Sequence, residues 1–152
     1  ANFGTLVNYT YSDSEADYLK LEAGDDSPLQ SVDLPFLNQS KHTANATLYY
    51  EEKGVNVRLA YSYRTESLYT PAGANGNMYW NDDYGQLDFT AGMSIGKFWV
   101  NFQIVNATDE VQERYVTSPL EGNSLEGDGP TNRMLYMAQS GRIFRLGVNA
   151  KF

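Results

Sequence analysis

One histidine, His42, and no cysteine stand among 152 residues, so little covalent chemistry is open to this chain. Without thiols there are no disulfides, thiolate zinc sites, iron–sulfur clusters or cysteine nucleophiles. A nucleophilic triad or a His-rich metal site would have to form around a single imidazole, and His42 has no Ser or carboxylate at a meaningful spacing. The chain is therefore expected to be no enzyme and to need no cofactor or metal. Asp13-Ser14-Glu15-Ala16-Asp17 and Asp25-Asp26 offer hard oxygen ligands, but their spacing departs from that of a calcium loop, and they are expected to form a solvated acidic surface. Binding chemistry remains. Tyr79 and Trp80 set aromatic faces beside the amide and carboxylates of Asn81, Asp82 and Asp83. Stacking on apolar ring faces and hydrogen bonds to hydroxyls would together make a sugar platform. The plainer alternative is that Trp80 and Tyr84 only anchor the end of a strand. Arg58, Arg64 and Arg145 form the other set: they suit acidic groups of a ligand or a neighbouring domain, unless they pair with carboxylates across strands.

Charge narrows the partners. Lys plus Arg number 11 against 19 Asp plus Glu, a formal net charge of −8, which repels phosphate backbones and excludes nucleic acid as the expected partner. Hydrophobic residues make up 41% and aromatic residues 14%, too much apolar material for a disordered acidic tail.

The elements that must position these residues follow from a period of two. Phe144, Leu146, Val148, Ala150 and Phe152 alternate with Arg145, Gly147, Asn149 and Lys151. Leu87, Phe89, Ala91, Met93 and Ile95 form a second apolar row, and Val55, Val57, Leu59, Tyr61 and Tyr63 a third. Shorter rows begin at Val7, Ala44 and Phe98. Short links at Glu52-Lys53-Gly54 and Gly96-Lys97 alternate with long segments over about 13–39, 66–84 and 108–141. The expected fold is all-β: six strands in an antiparallel up-and-down meander. The long segments, rich in Gly, Pro, Asn and Asp, are expected to be turns and loops. The best helix candidate, Asp109 to Tyr115, is too short to weigh much.

Period two alone fits a soluble antiparallel sandwich or barrel. Three details favour a membrane barrel. The polar faces carry Asn, Gln, Ser, Thr, Gly and spaced Arg in place of Lys and Glu. Tyr9, Tyr11, Tyr61 and Tyr63 lie at the long-loop ends of the apolar faces, and Tyr50, Phe98 and Phe152 at the short-turn ends, which gives two aromatic belts around a band of Val, Leu and Ala. Runs of about nine to eleven residues match a tilted strand crossing an apolar band of roughly 25 Å, whereas soluble strands more often have about five or six.

Five segments then carry a family resemblance. Ser40-Lys41-His42-Thr43-Ala44-Asn45 through Tyr49-Tyr50-Glu51, Arg58-Leu59-Ala60-Tyr61-Ser62-Tyr63-Arg64, Tyr84-Gly85-Gln86-Leu87-Asp88, Asn106-Ala107-Thr108-Asp109-Glu110, and Gly141-Arg142 through Phe152 resemble, in order and spacing, the late barrel strands of TonB-dependent outer-membrane receptors. The likeness covers essentially the whole chain. It implies that residues 1–152 are one C-terminal segment, the last six strands of a transmembrane barrel that normally has 22, located in the bacterial outer membrane. The family's plug and its energy-coupling box are not found in the chain, which is therefore expected to be a fragment. The implied partners are the remaining strands and plug, outer-membrane lipid, the inner-membrane TonB complex acting through the missing N-terminal part, and the barrel-assembly machinery, for which a terminal aromatic, here Phe152, is a signal. The implied function is active uptake of a small nutrient. The Lys-His-Thr-Ala-Asn, Tyr-Tyr-Glu and Gly-Gln-Leu-Asp sub-pattern resembles the branch linked to carbohydrate, which favours an oligosaccharide over a ferric siderophore. Two alternatives stand beside this: a soluble all-β binding module, and a small complete outer-membrane barrel with a structural or adhesion role. The second needs eight strands, part of the shortfall coming from Tyr18-Leu19-Lys20-Leu21.

Overall fold

The computed structural model describes residues 2–20, 30–71, 77–117 and 133–150. The chain runs through β1 (Phe3–Tyr11), β2 (Ala16–Lys20), β3 (Gln30–Leu34) and β4 (His42–Glu52). It continues with β5 (Val55–Arg64), β6 (Ser67–Thr70), β7 (Met78–Asn81) and β8 (Tyr84–Ile95). It ends with β9 (Phe98–Val105), β10 (Val111–Thr117), β11 (Arg133–Gln139) and β12 (Ile143–Ala150). Among the described residues there is no helix, and all strand pairs are antiparallel.

The six long strands form one sheet in the order β1-β4-β5-β8-β9-β12, the meander expected from the alternating runs. Its short links are two-residue hairpins whose backbones match strand twist. Lys53 and Gly54 both have positive φ (41° and 81°), as a type I′ turn requires, and Gly96 (φ 59°) leads the turn before Phe98.

Register turns the alternation into two continuous faces, because directly paired residues point to the same side. Leu48, Leu59, Phe89, Ile104 and Phe144 form one row across the sheet. Phe102 lies between Phe89 and Phe144, with ring centroids 6.5 and 6.4 Å away. Tyr49, Arg58, Thr90, Gln103 and Arg145 form a row on the opposite face. Glycines on that face make room for large neighbours. A Cβ on Gly92 would stand 2.5 Å from the Trp99 ring and 2.8 Å from Asn56 Oδ1.

Among the described residues, neither face has a second sheet packed on it. Leu68 is the buried hydrophobic residue among the described residues, while 24 large hydrophobics are exposed. Val7 is 71% and Leu146 73% exposed on the apolar face. A sandwich would cover that face with a second sheet about 10 Å away; among the described residues none does.

The long segments depart from expectation, because they contain strands. β6 and β7 join β10 and β11 in a second sheet, ordered β11-β10-β7-β6, and β2 pairs with β3. These segments are short, and Gly, Pro and Asn surround them, which hides any periodicity; yet Leu-Tyr-Thr, Met-Tyr-Trp and Met-Leu-Tyr-Met are strong β formers. The helix candidate at 109–115 falls largely in β10, where Val, Tyr and Thr favour the extended chain. Tyr18 to Lys20 is a strand, but it pairs with β3 and adds nothing to the six-stranded sheet.

The second sheet continues the first. β5 leads through residues 65–66 into β6, β7 through 82–83 into β8, β9 through 106–110 into β10, and β11 through 140–142 into β12. The order β6, β7, β10, β11 therefore repeats β5, β8, β9, β12. Each strand breaks at about the same level, at a corner.

Candidate functional site

The corner after β9 is built by Asn106, which is buried and has φ 56°. An amide side chain tolerates the left-handed region better than most residues. Its N–H donates to Asp88 Oδ1 (3.0 Å), and its Nδ2 donates to the carbonyls of Glu110 (3.0 Å) and Gly141 (3.4 Å). Its Oδ1 accepts the Glu110 N–H at 2.8 Å. One side chain thus closes both ends of the third long segment.

A second node ties the three long segments together. The Asn38 N–H donates to the Leu68 carbonyl (2.7 Å). Asn81 Nδ2 donates to Asn38 Oδ1 and Ser67 Oγ, each 3.3 Å away, while Asn81 Oδ1 accepts from Arg114 Nε (3.1 Å). The Arg114 guanidinium lies 3.4 Å from the Tyr69 ring centroid and 5.7 Å from that of Tyr136. Tyr115 donates to Glu66; burial first, then that carboxylate, pushes its phenol well above the usual range. Ser67 and Leu68 are 2% and 0% exposed, which makes this node the buried centre of the described chain.

Beside the second node, at the long-loop end of β1, β4 and β5, lies an open cleft of about 670 Å³, within the size range of small-molecule sites. Ser12, Asp13, Ser14 and Glu15 line it where the chain leaves β1; Asp33, Leu34 and Pro35 follow from β3. Gln39, Lys41 and His42 enter β4, and Thr65, Glu66 and Trp80 complete the wall. Lys41 Nζ lies 3.3 Å from Asp13 Oδ1 and 5.6 Å from the Tyr11 ring centroid. Tyr11 also donates to Asp13 Oδ2 at 3.1 Å. Hydrogen bonds from Lys41 and then Tyr11 hold the Asp13 carboxyl below the usual range, and Asp13 raises Lys41 in return. Asp33 stands directly opposite Asp17. Its hydrogen bond with that second carboxyl and the charge of Asp17 raise it, with a smaller contribution from Glu15.

His42 is held as part of the wall. Tyr9 Oη and His42 Nδ1 share a hydrogen bond of 2.7 Å, and the Tyr9 and Tyr11 rings lie 6.0 and 5.3 Å from the imidazole. The His42 N–H donates to Thr65 Oγ1 (3.1 Å), and Ser40 Oγ donates to the Thr65 carbonyl (2.7 Å). Four carboxylates against one ammonium leave the cleft negative, and Trp80 gives it an aromatic wall.

Of the residues expected to bind a ligand, only Trp80 lines this cleft; His42 and Asp13, Ser14 and Glu15 of the acidic stretch, expected to be surface, line it too. The Trp80 indole N–H donates to Thr117 Oγ1 at 3.2 Å. Tyr79 sits in β7, paired with Thr70 and Val116. Asn81 is engaged in the node above. Asp82 Oδ1 caps the Asp83 N–H (2.9 Å), and Asp83 Oδ2 accepts from Tyr63 (3.0 Å). The expected platform over 79–83 is therefore divided between the cleft and structural bonds. Arg58 and Arg145 share one row of the polar face, three strands apart, or about 14 Å. Arg145 Nη1 donates to Gln103 Oε1 (3.3 Å), and Arg64 lies 5.6 Å from the Tyr84 ring centroid. None of the three arginines has an ion pair with a carboxylate among the described residues. Phe152, Asp25 and Asp26 lie outside the described residues.

Sequence reasoning placed Glu15 on a solvated acidic surface and Lys41 in a strand, and missed Asp33, Gln39 and Glu66 as their neighbours. The available signal was the gathering of acids beside strand ends; the pairing that brings residues 13, 33 and 66 together is long-range. Among the described residues, no three His, Cys, Asp or Glu side chains form a group that could hold a metal. No protein-family description, curated protein or solved structure matches the chain.

Proposed function

We propose that the chain is the C-terminal wall segment of a TonB-dependent outer-membrane transporter, and that it helps take up a small hydroxyl-rich nutrient, an oligosaccharide before a ferric siderophore. The observation that carries this reading is the broad apolar face of six register-matched strands, broken within its band by Thr5. With strands about 4.8 Å apart and about 25 Å of height, that face spans on the order of 700 Å². Soluble monomers leave apolar patches of only about 300–600 Å² open. Lipid removes the penalty. Phe3 and Tyr50 at the short-turn end, 4.7 Å apart by ring centroids, and Tyr9 and Tyr11 at the other end stand where belts are needed. Phe3 to Tyr11 is about 27 Å along the strand and roughly 20 Å upright after a barrel tilt.

Among the described residues, β1 and β12 each have a neighbour on one side only, and hydrocarbon does not tolerate unpaired backbone groups. Further strands of the same receptor close these edges, and the polar face with Arg58, Arg64 and Arg145 lines the lumen. The cleft receives the ligand. Its carboxylates accept hydroxyl protons, Trp80 supplies a stacking face, and its negative charge disfavours anionic iron chelates. Transport of this kind makes and breaks no bonds in the nutrient; the plug and inner-membrane complex supply the work.

The test is fractionation of the native polypeptide that contains this segment, followed by uptake in a strain lacking it. Recovery in the outer membrane, extraction only by detergent, and loss of oligosaccharide uptake are expected. A compact protein that purifies from the soluble fraction without detergent would replace this reading with a soluble β-module. By the same family likeness, deleting Phe152 lowers the amount assembled and leaves ligand affinity unchanged in the protein that does assemble; undiminished assembly would remove its role as a signal.

A further inference from the structure

The cleft carries more negative charge than the chain around it balances. Its carboxylates come from three segments that long-range pairing brings together: Asp13 and Glu15 after β1, Asp33 in β3, and Glu66 between β5 and β6. Among the described residues lining the cleft, Lys41 is the one ammonium, and it is engaged by Asp13 at 3.3 Å. Tyr11 also donates to Asp13, and Tyr115 to Glu66, but a phenol cancels no charge. Glu15 and Asp33 have like charge for company. Asp33 stands directly opposite Asp17, an arrangement that destabilises a strand pair, and Asp17 and then Glu15 push its carboxyl up.

The rest of the wall sets what else a ligand must carry. Trp80 is fixed by its own N–H, which donates to Thr117 Oγ1 at 3.2 Å, so what remains to offer is an aromatic ring. Ser12 and Ser14 add hydroxyls beside it. Among the described residues, no three acids stand close enough together to hold a metal ion, so the carboxylates are spread along a cleft of about 670 Å³. Spread anions beside an aromatic ring suit an extended ligand with protonated amines better than a bare cation. We infer that the cleft takes an oligosaccharide of amino sugars, whose ammonium groups meet Glu15, Asp33 and Glu66 while a ring face lies on Trp80. This rests on the proposed reading of the cleft as the ligand site. A neutral sugar could stack on Trp80 equally well, yet it would leave the excess carboxylates without a counter-charge. An ammonium supplies that charge and makes hydrogen bonds roughly twice as strong as those of a neutral donor.

Calorimetric titration of the intact detergent-extracted protein with a glucosamine trimer, and with the same trimer N-acetylated, tests this at pH ~6.5, where amines are protonated and ordinary carboxyls ionised. The amine form is expected to bind at least about tenfold tighter, with a gap that narrows as salt is added. Glu15→Gln combined with Asp33→Asn should cut the preference to under about threefold. Glu51→Gln, an exposed acid at the far end of β4, should leave it unchanged. Lys41→Met, which frees the charge of Asp13, should widen it, so the outcome does not depend on one variant folding. Equal affinity for the two trimers, or a preference for the acetylated one, would overturn the inference and leave the cleft standing as a sugar site. Binding of neither trimer would overturn both readings. A preference that neither cleft variant changes would show that the charge selection lies elsewhere, and the proposal would fall.

Discussion

The six-stranded sheet and the sheet above it are both antiparallel ladders without a conventional core, and they are held in opposite ways. In the lower sheet the register is regular, the side chains sort cleanly into two faces, and among the described residues no second sheet covers the apolar one. The upper sheet has short, irregular strands, yet it contains Leu68 and Ser67, the Arg114 stack and the Asn81 bonds. The difference shows where the burial comes from. Below, the surroundings must take up the apolar face; above, the chain supplies its own partners. Damage to the upper sheet should therefore act wherever the protein is, and damage to the lower face should depend on the medium around it.

The sharpest way to break this division is Leu68→Ala. Removing a fully buried leucine side chain costs about 2–5 kcal/mol, and that cost should fall on the upper sheet. Faster amide exchange in β6, β7 and β10 with unchanged exchange in β5 and β8 is expected; uniform loosening of both sheets would mean that they are one cooperative unit. Leu59→Arg tests the other half. Leu59 lies in the middle row of the apolar face, where arginine in a bilayer costs about 2–4 kcal/mol. Thr90→Arg, on the polar face of the same region, should cost under ~1 kcal/mol. Thermal melting of the assembled protein in lipid separates them, and equal effects of the two would argue against lipid on the apolar face. Asn106→Ala comes next. It leaves the Glu110 N–H and carbonyl without the Asn106 side chain and puts alanine at a positive φ, for about 2–3 kcal/mol together. Asn106→Gly restores the backbone freedom alone and should recover about 1 kcal/mol of this, as measured by the melting temperature of the upper sheet; no recovery would assign the whole loss to the side-chain bonds.

How much of this was legible in the sequence follows the same division. The lower sheet was legible because alternation sustained over eight to twelve residues arises where an extended chain sets two unlike faces against two unlike surroundings, and Lys53-Gly54 and Gly96 mark their hairpins by type. The upper strands were not, because four to seven residues among Gly, Pro and Asn give no period, and their pairing joins segments far apart in the chain. Asn106-Ala107-Thr108-Asp109-Glu110 stood out only by family likeness. Its physical role as a corner depends on Asp88 and Gly141, 18 and 35 residues away. The site was legible in its residue types and not in its membership. Trp80 is in the cleft, but Asn81, the next residue of β7, is turned to structural bonds because adjacent strand residues face opposite sides, and Asp83, in the link to β8, accepts from Tyr63.

The smallest expected effect is also the one that resolves the cleft internally. Asp13 and Asp33 are both exposed, and their carboxyls shift in opposite directions, Asp13 down beside Lys41 and Tyr11, Asp33 up beside Asp17. For Asp13 the folded form holds its proton less tightly than the unfolded chain. Its contribution is present above the ordinary aspartate value of ~3.9 and is lost as the pH falls through the lowered value. For Asp33 the folded form holds its proton more tightly, so stability falls as the pH rises from that ordinary value through the raised one, and then stays level. The two windows lie on opposite sides of ~3.9 and can be separated. Asp33→Asn should remove the decline above the ordinary value, because an amide opposite Asp17 neither repels it nor titrates. Asp13→Asn should remove the loss below it. Amide exchange in β2 and β3, followed from pH 3 to 7 with correction for intrinsic rates, measures the first. An Asp33→Asn hairpin that still loosens with rising pH would show that Glu15 and Glu66, and not the Asp17 pair, set the electrostatics of the cleft.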